Sequence, residues 1–189
     1  MEGLLLAAGA GRRMGMPKAL VRDEAGSWLV RGVATLRDGG CTNVTVVLGA
    51  DAGAARTLLE GLDIRVAVAA DWAEGMGASL RTGLRSLLGS PEPGAIISLV
   101  DLPDLVPEVV ARVIAAAGPA GTAALLRAAY RGRPGHPVLL GRDHWDGVVD
   151  AAVGDQGARA YLAPRDVTLV ECGDLATGRD VDSRQPDTP

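Results

Sequence analysis

Apolar residues along this chain fall into short unbroken runs, separated by stretches in which they recur every three or four positions. The runs are GLLLA from Gly3, VTVVLG from Val44, IRVAVA from Ile64, AIISLV from Ala95 and TAALLRA from Thr122; PVLL from Pro137 and VTLV from Val167 are weaker. The first four do not alternate with polar positions, as expected of strands covered on both faces. Between them, Leu80, Leu84, Leu87 and Leu88 keep the spacing of one helix face, and Val106, Val109, Val110, Val113 and Ile114 trace a second. That second helix is expected to take Asp104 as its N-cap, Pro107 in its first turn and Gly118 at its end. Leu58, Leu59 and Leu62 mark a shorter helix after Asp51, and Trp28 to Leu36 reads as another. Strand and helix alternate to about residue 118, which predicts an α/β, Rossmann-like three-layer sandwich: a mostly parallel sheet with helices on both faces.

After Gly118 the rhythm loosens. RGRPGHPVLLGRDHW is rich in Gly, Pro and Arg, GDQGARAYL reads as another capped helix, and GDLATGRDVDSRQPDTP is expected to wrap the surface. No repeat or low-complexity linker interrupts the chain, so a single domain over 1–189 is expected, with a regular half to 118 and a looser half from 119.

Composition narrows the function. The chain has 189 residues, 48% of them hydrophobic, and a mean hydropathy of +0.18, which excludes a mainly disordered protein. No apolar run approaches the roughly 18 residues that cross a bilayer. With a net charge of -4 and a pI near 5.2, neither nucleic acid nor an acidic membrane face is an expected partner. An anionic ligand must therefore be met by local basic residues. Cys41 and Cys172 lie far apart and suit two reduced thiols in a cytoplasmic protein. Only Met1 and Glu2 precede the opening apolar run and the arginines follow it, the reverse of a leader peptide, so this run is expected to be the first buried strand.

The loop after that strand carries Gly9, Gly11, Arg12, Arg13, Gly15, Pro17 and Lys18. Its glycines are spaced G-x-G-x-x-x-G, one residue longer than the dinucleotide fingerprint, and two arginines stand between them. A P-loop needs Lys directly after Gly and then a hydroxyl residue, but Pro17 precedes Lys18 and Ala19 follows it. Three cations among close-approach glycines instead suit a triphosphate, since arginine offers a planar fork and lysine a point charge.

The whole stretch LLLAAGAGRRMGMPKAL resembles the L-A-A-G-x-x-x-R-M-G-x-P-K signature of MobA-like NTP transferases, and within them the molybdenum cofactor cytidylyltransferases. DWAEGMGASLRTGL, VDLPDL, GHPVLLGR, GDQGARAYL and the closing DVDSRQPDTP resemble later blocks, so the likeness runs nearly end to end. The resemblance implies a nucleotide-diphospho-sugar transferase type of fold. It also implies a Mg²⁺-dependent reaction in which an acceptor phosphate attacks an NTP and pyrophosphate leaves, with no protein nucleophile.

Asp101 follows the run AIISLV, so it stands at a strand's carboxyl end on the same edge as the Gly9 loop. The resemblance makes it the Mg²⁺ ligand, with Asp182 as a second carboxylate or Asp180 in its place. It assigns catalysis to Arg12, Lys18 and Asp101, and nucleotide binding to Leu6, Ala7, Ala8, Gly9, Gly11, Arg12, Lys18, Gly77 and Ser79. Where GTP users tend to show Leu-Ala-Gly-Gly, this chain has Leu6-Ala7-Ala8-Gly9, and a methyl at Ala8 favours CTP over GTP. Arg81 and His136 are the expected contacts to a phosphorylated, molybdopterin-like acceptor, with Arg131 and Arg133 as further candidates. A molybdoenzyme is the implied partner downstream. Two other readings stay open: an NAD(P)-linked oxidoreductase on the same fold, and a non-catalytic module that presents a cofactor.

Overall fold

Along Glu2–Ala7 every residue is buried, because the two faces of this strand meet two different cores. Leu5 and Ala7 pack on one side of the sheet, Leu4 and Leu6 on the other. That is why the run is apolar without alternation. The computed structural model describes residues 1–181. In chain order its elements are β1 (Glu2–Ala7), a small hairpin β2 (Arg22–Asp23) and β3 (Gly26–Ser27), α1 (Trp28–Asp38), β4 (Asn43–Leu48), α2 (Ala52–Thr57), β5 (Arg65–Val68), α3 (Met76–Ser86), β6 (Gly94–Leu99), α4 (Pro107–Ala116), β7 (Leu125–Tyr130), β8 (Arg133–Gly141), α5 (Trp145–Ala151), α6 (Arg159–Leu162) and β9 (Thr168–Glu171).

Seven strands form one sheet in the order β5-β4-β1-β6-β8-β7-β9. The pairs β1–β4, β1–β6, β4–β5 and β7–β9 are parallel, and β8 runs antiparallel to both β6 and β7. All strands but β8 therefore end at one edge, and β8 begins there. Helices α1 and α4 cover one face through Leu29, Val33, Leu36, Val109, Val110 and Val113. On the other face α3 and α5 contribute Leu80, Leu84, Trp145 and Val148. The expected mostly parallel three-layer sandwich is the observed fold.

Local details differ from the sequence reading. Ser27 caps α1, its hydroxyl accepting from Val30 N at 3.4 Å. Helix α4 has Val106 at its N-cap position with no side-chain cap. Asp104, expected there, instead accepts from the backbone N–H and the hydroxyl of Thr177. A long-range partner outcompetes the local one. The run from Thr122 becomes strand only at Leu125, and β8 reaches back to Arg133 through a Pro- and Gly-rich stretch. GDQGARAYL forms a 3-10 turn and the four-residue α6, without side-chain capping. At the opposite edge the fully buried Glu2 carboxylate is paired with Arg65 at 2.6 Å and also accepts from Asn43 and Ser90. A buried charge persists only with such partners.

Candidate active site

The loop after β1 is pinned at its start. Ala8 O accepts from Ala50 N at 3.0 Å, and Leu6 O accepts from Val100 N at 3.1 Å. Gly11 then takes φ +57, and its carbonyl accepts from Met14 N at 2.8 Å. This turn brings the chain back, so that Lys18 faces the end of β6. There Lys18 Nζ donates to Asp101 Oδ2 at 2.6 Å, with the two side chains only 16% and 13% exposed.

Asp101 lies just beyond β6. Its Oδ2 is taken by Lys18, but its Oδ1 is buried and has no hydrogen-bond partner among the described residues. Buried polar atoms are rarely left in that condition, and those that are call for an explanation such as an ion. Among the described residues no three His, Cys, Asp or Glu side chains gather to hold a metal by themselves. A single hard carboxylate oxygen fits Mg²⁺, which usually takes one or two carboxylates and completes its shell with phosphates and water. Val181 N donates to the Asp101 carbonyl at 3.0 Å. Asp182, the expected second ligand, lies outside the described residues, and Asp180 lines a different cavity.

Lys18 and Asp101 form one wall of a cleft of about 380 Å³. Leu6, Ala7, Ala8, Gly9 and Gly11 supply its floor, and the exposed Arg12 stands at its mouth. Trp72, Met76 and the buried Ser79 form the far wall. Trp72 reaches this position because Gly49 has no side chain: a Cβ there would lie 2.6 Å from Trp72 Cβ and 2.7 Å from Ala8 O. Gly77 is turned away from the cleft, since a Cβ on it would meet the Ala152 backbone at 2.8 Å.

Sequence reasoning missed Met76 and Asp155 on this wall. A Cβ on Gly75, at φ +118, would sit 2.4 Å from Asp155 Oδ1, so the glycine leaves room for that carboxylate. Nothing local in GDQG announces a contact with residues so far back in the chain. Trp72 serves both: it lines the cleft and packs against the core beneath α3.

The two expected acceptor contacts are not brought into the cleft. The Arg81 guanidinium donates to Ala152 O, Asp71 and Glu74 at 2.7–2.8 Å. It ties the turn before α3 to the end of α5. His136 lies on β8, two residues before Val138, which pairs with Ile97 near the end of β6. Its imidazole is pulled down to about 4, first by burial and then by the Arg127 guanidinium, with Asp180 opposing. A histidine that is easier to protonate when unfolded costs stability on acidification. Stability is therefore expected to fall as pH drops from about 6.5 towards about 4. Urea titrations across that window should show a shallower slope for His136→Asn than for the parent chain.

Known proteins resemble this chain in sequence and in fold. The model of the MobA-like NTP transferase domain matches residues 3–170. Nicotine blue oxidoreductase of Paenarthrobacter nicotinovorans is 36% identical over 195 residues, covering 97% of this chain and 92% of that protein. The crystal structure of Rv0371c from Mycobacterium tuberculosis H37Rv superposes with a TM-score of 0.81 at 27% identity, covering 96% of this chain and 92% of the other. The same mycobacterial protein has been solved in complex with manganese (TM-score 0.76, 24% identity, 95% and 92% covered). A nucleotidyl transferase from Methanothermobacter thermautotroptrophicus shares the fold at a TM-score of 0.81 and 20% identity, with 96% and 91% covered.

Proposed function

Because this chain belongs to the MobA-like NTP transferase family, we infer that it moves a nucleotidyl group from an NTP to a phosphorylated small molecule and releases pyrophosphate. The observation that carries this reading is the cleft lined by Arg12, Lys18 and Asp101, where Lys18 holds Asp101 Oδ2 and the buried Oδ1 has no partner among the described residues. Phosphoryl chemistry of this kind is mostly positioning and charge neutralisation. An acceptor phosphate oxygen forms a bond to the α-phosphorus, the bridging bond to the β-phosphate breaks, and pyrophosphate leaves with the electron pair.

The chain's own residues supply three things. Ala8, Gly9 and Gly11 let phosphate oxygens approach the backbone. Lys18 and Arg12 stabilise the charge that builds on the departing pyrophosphate. Asp101 is the group that would hold Mg²⁺, which when bound neutralises and polarises the phosphates. Ala8 is buried at the cleft floor, and its methyl takes space a purine would need, so CTP is favoured over GTP. Ser79 lies within the same cleft as a hydroxyl for the base or ribose. The acceptor named by the resemblance is the molybdopterin cofactor, whose nucleotide form would pass to a molybdoenzyme in the cytoplasm.

A second reading has its own support, the 36% identity to nicotine blue oxidoreductase. On this reading the chain is the NAD(P)-linked oxidoreductase left open by the sequence, and the cleft would take a nicotinamide dinucleotide. The discriminating experiment is a pyrophosphate-release screen of the four NTPs with Mg²⁺ and phosphorylated acceptors, run beside NADPH binding. CTP-dependent release is the expected result. Tight NADPH binding with no release from any NTP would replace the transferase with the oxidoreductase.

A further inference from the structure

A second cavity of about 630 Å³ opens on the same sheet edge, where β7 ends and β8 begins. Its walls are the β7–β8 hairpin and the segment 176–181. Arg131 and Arg133 enter from the hairpin and Arg179 from the segment, and among the described residues Asp180 is the carboxylate in the lining. All three are exposed, and among the described residues none of their guanidinium groups donates a hydrogen bond or makes an ion pair. Gathering like charges without partners works against folding. In a chain of net charge -4 it needs a compensating purpose.

The cavity is also held in shape. Arg131 has φ +54, a left-handed conformation uncommon outside glycine. It is kept there by the Glu171 carboxylate, which accepts from Arg131 N, Gly132 N and Gly173 N at 2.8–2.9 Å. The Tyr130 ring lies so close to Gly135 and Gly178 that a Cβ on either would come within 2.8 Å of it. Its hydroxyl donates to His136 O at 2.7 Å. The segment is fastened to Asp104 through Thr177 and to the Asp101 carbonyl through Val181. One wall of the arginine cavity therefore ends on the backbone of Asp101, the residue whose side chain lines the first cleft.

We propose that this cavity seats the second substrate, and that it selects an acceptor carrying a further anionic group besides the phosphate that attacks. The proposal rests on the transferase reading and deepens it. Arginine forks match phosphate, sulfate and carboxylate oxygens, and a preformed pocket loses little on ordering.

The test uses the full chain labelled with ¹⁵N-arginine, followed through its side-chain Nε–H signals. Inorganic phosphate is one probe and Mg²⁺·CTP the other. Phosphate is expected to shift Arg131, Arg133 and Arg179 together in one saturable step. The Arg133→Ala/Arg179→Ala variant should weaken that binding at least tenfold. Arg133→Lys/Arg179→Lys, which keeps the charge, should restore part of it. In every variant Mg²⁺·CTP should still shift Arg12. If the three signals stay still in phosphate while Mg²⁺·CTP moves Arg12, the proposal falls and the transferase reading stands. If phosphate moves the three but CTP neither moves Arg12 nor yields pyrophosphate, both the reading and the assignment to an acceptor fall.

Discussion

Replacing Asp101 with asparagine is expected to lower pyrophosphate release by about 10²–10³-fold or more while leaving the fold in place. The magnitude follows from the loss of one preorganised charge interaction at a reacting phosphate, compounded by the weakened hold on the metal. Asparagine keeps the shape and one oxygen for Lys18, which now donates to Asp101 Oδ2 at 2.6 Å, so stability should change by only about 1–2 kcal/mol. Steady-state pyrophosphate release and thermal unfolding, measured on the same preparation, separate the two effects. A variant that folds and still turns over normally would remove Asp101 from the chemistry.

Gly11→Ala is expected to weaken NTP binding by about 10–100-fold and to cost roughly 1–3 kcal/mol of stability. Two obstacles combine at this position. The backbone sits at φ +57, and a Cβ would lie 2.0 Å from Met16 O and 3.2 Å from Lys18 N. Those are backbone atoms of the returning strand of the loop, so the segment carrying Lys18 must move. The Lys18–Asp101 pair and the phosphate cradle are then disturbed together. Gly9 provides the contrast, because a Cβ there meets nothing within 4 Å. Gly9→Ala should be nearly neutral in urea unfolding, and NTP titrations of the two variants show whether it is the turn at Gly11 that positions the lysine.

How much of this was legible in the sequence depended on where each signal comes from. Strands β1, β4 and β6 read plainly because both faces are covered, so burial wrote unbroken apolar runs. Strand β5 is half-exposed at the sheet edge but carried the same kind of run, so the sequence could not tell edge from centre. Strand β8 was read too short. The stretch before Pro137 read as loop because it is rich in Gly and Pro, yet Pro134 pairs with Ala129 beyond a shift in register between Arg127 and Ala129, and a proline is tolerated at such an irregular place.

The loop side of the candidate site was legible because its residues lie within a few positions of Gly9. The place of Asp101 beside that loop was legible because strand ends mark one edge of a parallel sheet. Arg81, expected as an acceptor contact, is instead bonded within the fold: its partners Asp71 and Glu74 were in view, but the Ala152 carbonyl that completes its fork was not. Met76 and Asp155 were missed because only tertiary structure brings α3 against the turn before α6. Arg131 and Arg133 were legible as basic residues, but their meeting with Arg179 across a cavity was not.

The central claim is that a triphosphate and a divalent ion enter this cleft together, between Lys18 and the free oxygen of Asp101. Calorimetric titration of CTP, with Mg²⁺ and with EDTA, into the parent chain and into Asp101→Asn, tests it most directly. Binding at least tenfold tighter with Mg²⁺ in the parent, with that difference erased in the variant, is the predicted result. Equal affinity for CTP with and without the ion in the parent chain would contradict it.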